Sequence, residues 1–164
     1  MKKFRNTCFW IFVAYCSQLV AVSCTTADLY EKTAAIPGHS WKSSFKPSFT
    51  FTIKDTTATY QLYVILRHND KYSFNNLYLN LYYQSAGQPE KKITLDLKLA
   101  TNEKGWLASG MDDIYEHRID INKELVDNNF SLRQPGEYKF TLEQIMREDP
   151  LNNVLDAGLR IEKK

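Results

Sequence analysis

The chain has 164 residues, 43% of them hydrophobic and 24% charged, which fits one globular domain and excludes a disordered or fibrous chain. A formal charge of +2 leaves no case for nucleic acid as a partner. Removal of residues 1–23 would take Lys2, Lys3 and Arg5 and no carboxylate, moving the charge from +2 to −1, so strong electrostatic steering is not expected either.

The chain opens MKKFRNTCFWIFVAYCSQLVAVSC, a basic start, an apolar run over 8–15 broken by Ser17 and Gln18, and a second apolar stretch over 19–22. That is too short and too interrupted for a membrane-spanning helix, which needs about 20 apolar residues, and it fits the h-region of a secretory signal. Ala21-Val22-Ser23-Cys24 has the pattern of a lipobox, small or aliphatic residues before a cysteine that takes lipid and becomes the new N-terminus. Several acyl chains at about 0.8 kcal/mol per buried methylene make such an attachment stable. An uncleaved anchor and a plain signal peptide with a chance cysteine are the alternatives. Cys8, Cys16 and Cys24 are the only cysteines, so the body of the domain has no disulfide and must be held by burial.

The expected domain organisation is a lipoprotein signal peptide over 1–23, a lipidated cysteine with tether and lead-in over 24–46, and a β domain over 47–164. In the lead-in, 28–31 has the look of a short edge strand, 36–40 is turn chemistry, and Trp41 is expected to pack on the sheet ahead. Phe49, Phe51 and Ile53 then alternate with polar residues, the period of a strand with one face on a core. The same alternation runs through 59–67, where Leu62, Val64 and Leu66 share a face, and through 77–84, where Leu77, Leu79 and Leu81 do. The intervening HNDKYSFNN is rich in residues that tolerate turns, so the simplest pairing joins these two strands as an antiparallel hairpin with Tyr72 and Phe74 at its tip.

Further strands are expected over 92–99, 115–122 and 137–146, and over 157–161, where Ala157, Leu159 and Ile161 share a side. Residues 106–111 read as loop or irregular strand, 123–129 as one helical turn or loop, and 143–149 as strand end or short helix. About eight strands with regularly spaced turns and no long helical period imply an all-β, jelly-roll-like β-sandwich, with an up-and-down barrel as the rival topology.

Catalytic and metal signatures are not apparent. His39, His68 and His117 are far apart in sequence without ligand spacing, and structural or surface roles are expected for them. Asp112-Asp113 lacks the rest of a calcium loop and reads as a solvated acidic turn. No cofactor is expected. Arg67, Arg147 and Arg160 stand in or beside apolar strands and call for carboxylate partners, with Asp55, Glu143 and Asp156 as candidates. Tyr63, Tyr72, Tyr78, Tyr82 and Tyr83 crowd the central strands, which suits sheet packing, a protein interface or a glycan-stacking platform.

With these residues laid out, the chain resembles the gliding-motility lipoprotein GldH family over 24–163. The resemblance rests on Tyr30 with Ile36-Pro37 and Trp41, the Phe49-x-Phe51-x-Ile53-x-Asp55-Thr56 strand, Leu66-Arg67-His68 leading to Tyr72-Ser73-Phe74-Asn75-Asn76-Leu77, and Gly105-Trp106-Leu107 with Gly110. Gly136-x-Tyr138, Glu143-Gln144-x-Met146-Arg147 and Gly158-Leu159-Arg160-Ile161-Glu162-Lys163 complete it. It implies a non-enzymatic, lipid-anchored protein of the cell envelope, in the outer membrane, associated with gliding machinery or its counterpart in cells that do not glide. The stretch after Cys24 lacks the acidic run of surface export, so a periplasm-facing side is expected. Partners would be the membrane, through the lipid, and other envelope proteins; a glycan-binding sandwich is the competing class. The candidate interaction surface comprises Arg67, Tyr72, Phe74 and Trp106.

Overall fold

Alternation gives each long strand one apolar face, and two antiparallel sheets close those faces on one another. The computed structural model describes residues 29–85 and 87–164. The signal peptide and Cys24 lie outside the described residues. Eight strands have six residues or more: β1 (Leu29–Ala35), β3 (Ser48–Ile53), β4 (Tyr60–Asn69), β5 (Asn76–Ser85), β6 (Lys91–Lys98), β10 (Ile114–Asp120), β11 (Gly136–Gln144) and β13 (Val154–Lys163). Short strands β2 (Ser40–Trp41), β7 (Ala100–Thr101), β8 (Gly105–Trp106), β9 (Ser109–Met111) and β12 (Leu151–Asn152) fill the connections, and the helix α1 (Asn122–Asp127) follows β10. Residues 143–149 continue the strand to Gln144 and then leave it as loop.

One sheet has the order β1-β13-β4-β10-β9, the other β3-β11-β5-β6, and each keeps two edges, so the rival closed barrel is excluded. Phe51 shows how the layers meet. Its ring centroid lies 5.5 Å from Tyr30 of the opposite sheet and 5.6 and 5.7 Å from Tyr138 and Phe140 beside it. Leu62, Val64 and Leu66 from one sheet and Leu77, Leu79 and Leu81 from the other are buried in the same core. Trp41 is fully buried, and its indole N–H donates to the Phe45 carbonyl at 2.8 Å.

Two expectations need correcting. The strands β4 and β5 do not form a hairpin: β4 pairs with β13 and β10, whereas β5 pairs with β11 and β6. The Asn- and Asp-rich loop instead carries the chain from one layer to the other. A hairpin would put both apolar faces in one sheet and leave each without its opposing layer. The second concerns the lead-in before residue 47. All seven residues of β1 pair with β13, from Leu29 against Glu162 to Ala35 against Asp156, so the larger sheet takes in residues 29–35 of that lead-in, and Ile36 and Trp41 are buried in the core.

Candidate functional site

Three of the four residues singled out in the sequence come together, and they do so around a histidine. His68 ends the inward series Leu62, Val64, Leu66 on β4, and His117 lies on the inner face of β10. The β4–β10 register opposes His68 to Tyr115 and His117 to Leu66, which sets the imidazoles diagonally across the pair. Their Nε2 atoms are 2.9 Å apart, and both side chains are fully buried.

Rings close the site. The His68 centroid lies 4.8 Å from Tyr72, 4.4 Å from Trp106, 5.6 Å from Tyr115 and 5.0 Å from His117. Tyr72 in turn meets Phe74 at 5.9 Å, and Arg147 stands over the Phe74 ring at 5.4 Å. Tyr72 is only 3% exposed and donates its hydroxyl proton to the Asn76 carbonyl at 2.9 Å. The exposed hairpin tip expected for Tyr72 is therefore not found, because the loop folds its ring back under the sheet. Phe74 and Trp106 are partly buried against the core. Gly110 makes room for this packing: a Cβ there would meet the Tyr115 ring at 3.1 Å.

The protonation pattern follows from one carbonyl. His68 Nδ1 is 2.7 Å from the Asn69 carbonyl oxygen, so it carries the proton and leaves Nε2 as a bare acceptor. His117 Nε2 then donates to it across 2.9 Å, and the Leu107 backbone is the other polar group beside the His117 ring. Burial pushes the pKa of His68 down, against the pull of the Asn69 carbonyl. Burial, reinforced by the neighbouring His68, pushes His117 down to about 4, with the Leu107 backbone opposing. Both rings are neutral at pH 7. Two imidazoles alone are half of a zinc site, and no three His, Cys, Asp or Glu side chains are grouped as a metal centre among the described residues.

Strand alternation sends Arg67 to the opposite, outer face. Its Nε donates to Glu116 at 2.5 Å, and its guanidinium lies 3.8 Å from Asp156. Farther along that face, Arg160 pairs with Glu31 at 2.6 Å and with Glu162. Of the expected carboxylate partners, only Asp156 serves an arginine. Asp55 pairs with Lys163 at 3.0 Å and Glu143 with Lys46 at 2.5 Å. Beside Arg67 lies an open depression of about 520 Å³, bounded by Met111, Ile114, Leu155 and the carboxylates of Asp112, Asp113, Glu116 and Asp156. Asp112 and Asp113 are the two-residue turn between β9 and β10, with Asp112 in the left-handed region at φ 57°.

The outer face of the other sheet is organised by Glu143. It accepts hydrogen bonds from Tyr82 at 2.6 Å and Asn80 at 3.0 Å, while Lys46 pairs with it and stands 5.5 Å over the Tyr82 ring. Hydrogen bonds from Lys46, Tyr82 and Asn80 outweigh burial and hold the Glu143 carboxyl down at about 2. Tyr82 is thus occupied on one face and at its hydroxyl, and Tyr78, 43% exposed, is the open ring of the pair expected for a glycan platform.

These features define an antiparallel two-sheet sandwich whose charged and aromatic side chains are largely committed to holding its own strands. Among the described residues no helix is long and apolar enough to cross a membrane. The chain belongs to the GldH lipoprotein family, whose model matches residues 28–161. It is 26% identical over 153 residues to the gliding motility lipoprotein GldH of Flavobacterium johnsoniae, covering 89% of this chain and 91% of that one. It is 25% identical over 168 residues to a gliding motility lipoprotein GldH homolog of Christiangramia forsetii, covering 96% and 98%. Solved structures of an infectious bursal disease virus Gx strain and of that virus's VP2 subviral particle align over 83% and 84% of this chain, at 14% and 13% identity. Their TM-scores are 0.32 and 0.33, and the chain spans 31% and 30% of them, a likeness that carries no argument.

Proposed function

We propose that this protein is a non-enzymatic lipoprotein, held to the outer membrane by acyl chains on Cys24 and facing the periplasm, that works by contact with other envelope proteins. The assembly it serves is gliding machinery, or the counterpart of that machinery in a cell that does not glide. Attachment geometry is the observation that carries this reading. The strand β1 enters the sandwich with Leu29 opposite Glu162, at the end where Lys164 bonds back to Thr59. Five residue steps separate Cys24 from Leu29 and span at most about 18 Å, so this end is held near the bilayer. The opposite end, with the Asp112-Asp113 turn and the loop over 70–75, stands roughly 30 Å farther out along the strands. The names of the relatives support the gliding context. Of the interaction surface expected from the sequence, Arg67 is kept as a lining residue; Tyr72, Phe74 and Trp106 support the same end from inside.

Three measurements test this. Mass spectrometry should find an acylated Cys24 at the mature N-terminus, and Cys24→Ala should release the processed chain from membranes; a processed variant that stays with membranes refutes the anchor. Protease added to intact cells should leave the chain whole if it faces the periplasm. Crosslinking in intact envelopes should join the wild-type chain to other proteins. Should it yield no protein neighbour while soluble glycans bind saturably and Tyr78→Ala abolishes that binding, the glycan-binding alternative replaces this reading.

A further inference from the structure

The strand register gathers the start of β1, the helix α1 and the loop after β3 at one end of the sandwich. Leu29 opposes Glu162, Glu162 opposes Gln61, and Asp120 at the close of β10 opposes Tyr63. Tyr60 donates its hydroxyl proton to the Asp55 carbonyl at 2.9 Å, which ties in the loop over 54–59. The helix α1 follows β10, three strand spacings or about 14 Å across the sheet from β1. Its Leu125 turns inward, 4% exposed, and the Leu125 carbonyl accepts from the Phe130 N–H at 2.9 Å. Phe130 packs on Tyr83, Tyr138 and Phe140 at 4.5, 6.1 and 5.8 Å. The next helical residue, Val126, is therefore held on a fixed element, yet it is 68% exposed. A cleft of about 130 Å³ opens beside it, with Ala58, Phe130 and Leu132 in its wall.

We infer that this end rests on the bilayer that holds Cys24, with Val126 set among the lipid headgroups. The inference rests on the anchor reading above and adds a second point of contact to it. A lone exposed valine is ordinary on a free protein. Its meaning changes with the place where the rest of the chain is attached. Leu29 is at most about 18 Å of backbone from Cys24, so the headgroup layer lies within reach of α1 once the lipid is inserted. A tether this short raises the effective concentration of the second contact to the millimolar range. A contact too weak to hold a free domain then suffices. Exposed Lys54, Lys91 and Arg133 are interspersed at this end with exposed Glu90, Glu124 and Glu137, so zwitterionic lipid is enough. Two points of contact stop the domain from swinging on its tether and fix the far loops at one height above the membrane.

The test uses the mature acylated chain, purified from envelopes and reconstituted in phosphatidylcholine vesicles, with one introduced cysteine at a time carrying an environment-sensitive fluorophore. Val126→Cys and Met111→Cys compare two exposed positions, one at each end of the sandwich. The label at 126 should be at least threefold less quenched by aqueous iodide than the label at 111. Lipids brominated near the headgroup should quench 126 and leave 111 unaffected. A label at exposed Ser131, on the wall of the same cleft, should also be protected. Adding Val126→Asp should open that label to iodide at least threefold while thermal unfolding stays unchanged. Equal iodide access at 126 and 111, or no effect of Val126→Asp on the label at 131, overturns the inference. So does protection that vanishes when each vesicle holds one chain, since a second copy would then be the cover. The two readings fail separately. A chain that floats with the vesicles but leaves 126 open refutes the docked end alone; a chain that does not float refutes the anchor, and the docked end with it.

Discussion

On the β4–β10 pair, Arg67 and Glu116 face outward while His68 and His117 face inward, so the same two strands carry polar groups in two regimes. The outer pair keeps its charge because water still reaches it; the side chains are 39% and 29% exposed. The inner pair has no carboxylate beside it and gives up its charge, satisfying one ring with a backbone carbonyl and the other with its neighbour. The difference teaches that the period of two sets not only burial but ionisation state, and that adjacent residues can differ in it completely.

Breaking the inner face should cost most. Leu66→Ala, one residue before Arg67, removes a fully buried side chain and should destabilise by about 2–5 kcal/mol in urea unfolding. His117→Ala should cost about 1–3 kcal/mol, because it leaves a cavity and strands the His68 acceptor. The paired change His68→Leu with His117→Leu should cost less than the single one, since both polar partners leave together; a double variant worse than either single would show that the pair stabilises on its own account.

Acid sharpens the comparison. The folded histidines bind protons less readily than the unfolded chain, so the unfolded state gains protons first as pH falls below the ordinary histidine value of 6.5. Stability should therefore decline from about pH 6.5 towards about pH 4, and the double leucine variant should lose that slope. On the outer face of the other sheet, Glu143 has the opposite chemistry and the same sign. Its stabilisation is complete above the ordinary value of 4.5 and lost as pH falls towards about 2, a limb that Glu143→Gln should lack. The smallest effect should be Arg67→Ala, below about 1 kcal/mol, because its ion pairs are partly solvated.

Strand positions were legible because each is a local alternation: Phe49, Phe51 and Ile53 needed no knowledge of their partners. Pairing was not local, and there the reading went astray. The segment over 69–75 carries turn residues whether it closes a hairpin or crosses between layers, and only the β13 partner, far along the chain, decides between them. Tyr72 was misplaced for the same reason. His68 could have been found. It falls in the parity of Leu62, Val64 and Leu66, and His117 in that of Ile119, so both are core positions by count, but nothing in the sequence sets the register that brings their rings together. Arg67 was legible as an ion-pair residue and Asp156 as a candidate for one of the three arginines, but their match and the partner Glu116 both needed the strand register.

The pairing of β1 with β13 has a consequence in time. Leu29 meets Glu162, about 130 residues later in the chain. The central strand β4 needs the same late partner. At ordinary synthesis rates of 5–20 residues per second, the first strand waits roughly ten seconds for its neighbour. A chain whose earliest element can be seated only by its last cannot lock its larger sheet while it is still emerging. Threading an envelope protein through a narrow export pore requires an unlocked chain, and the order of these strands keeps the larger sheet open until β13 is made.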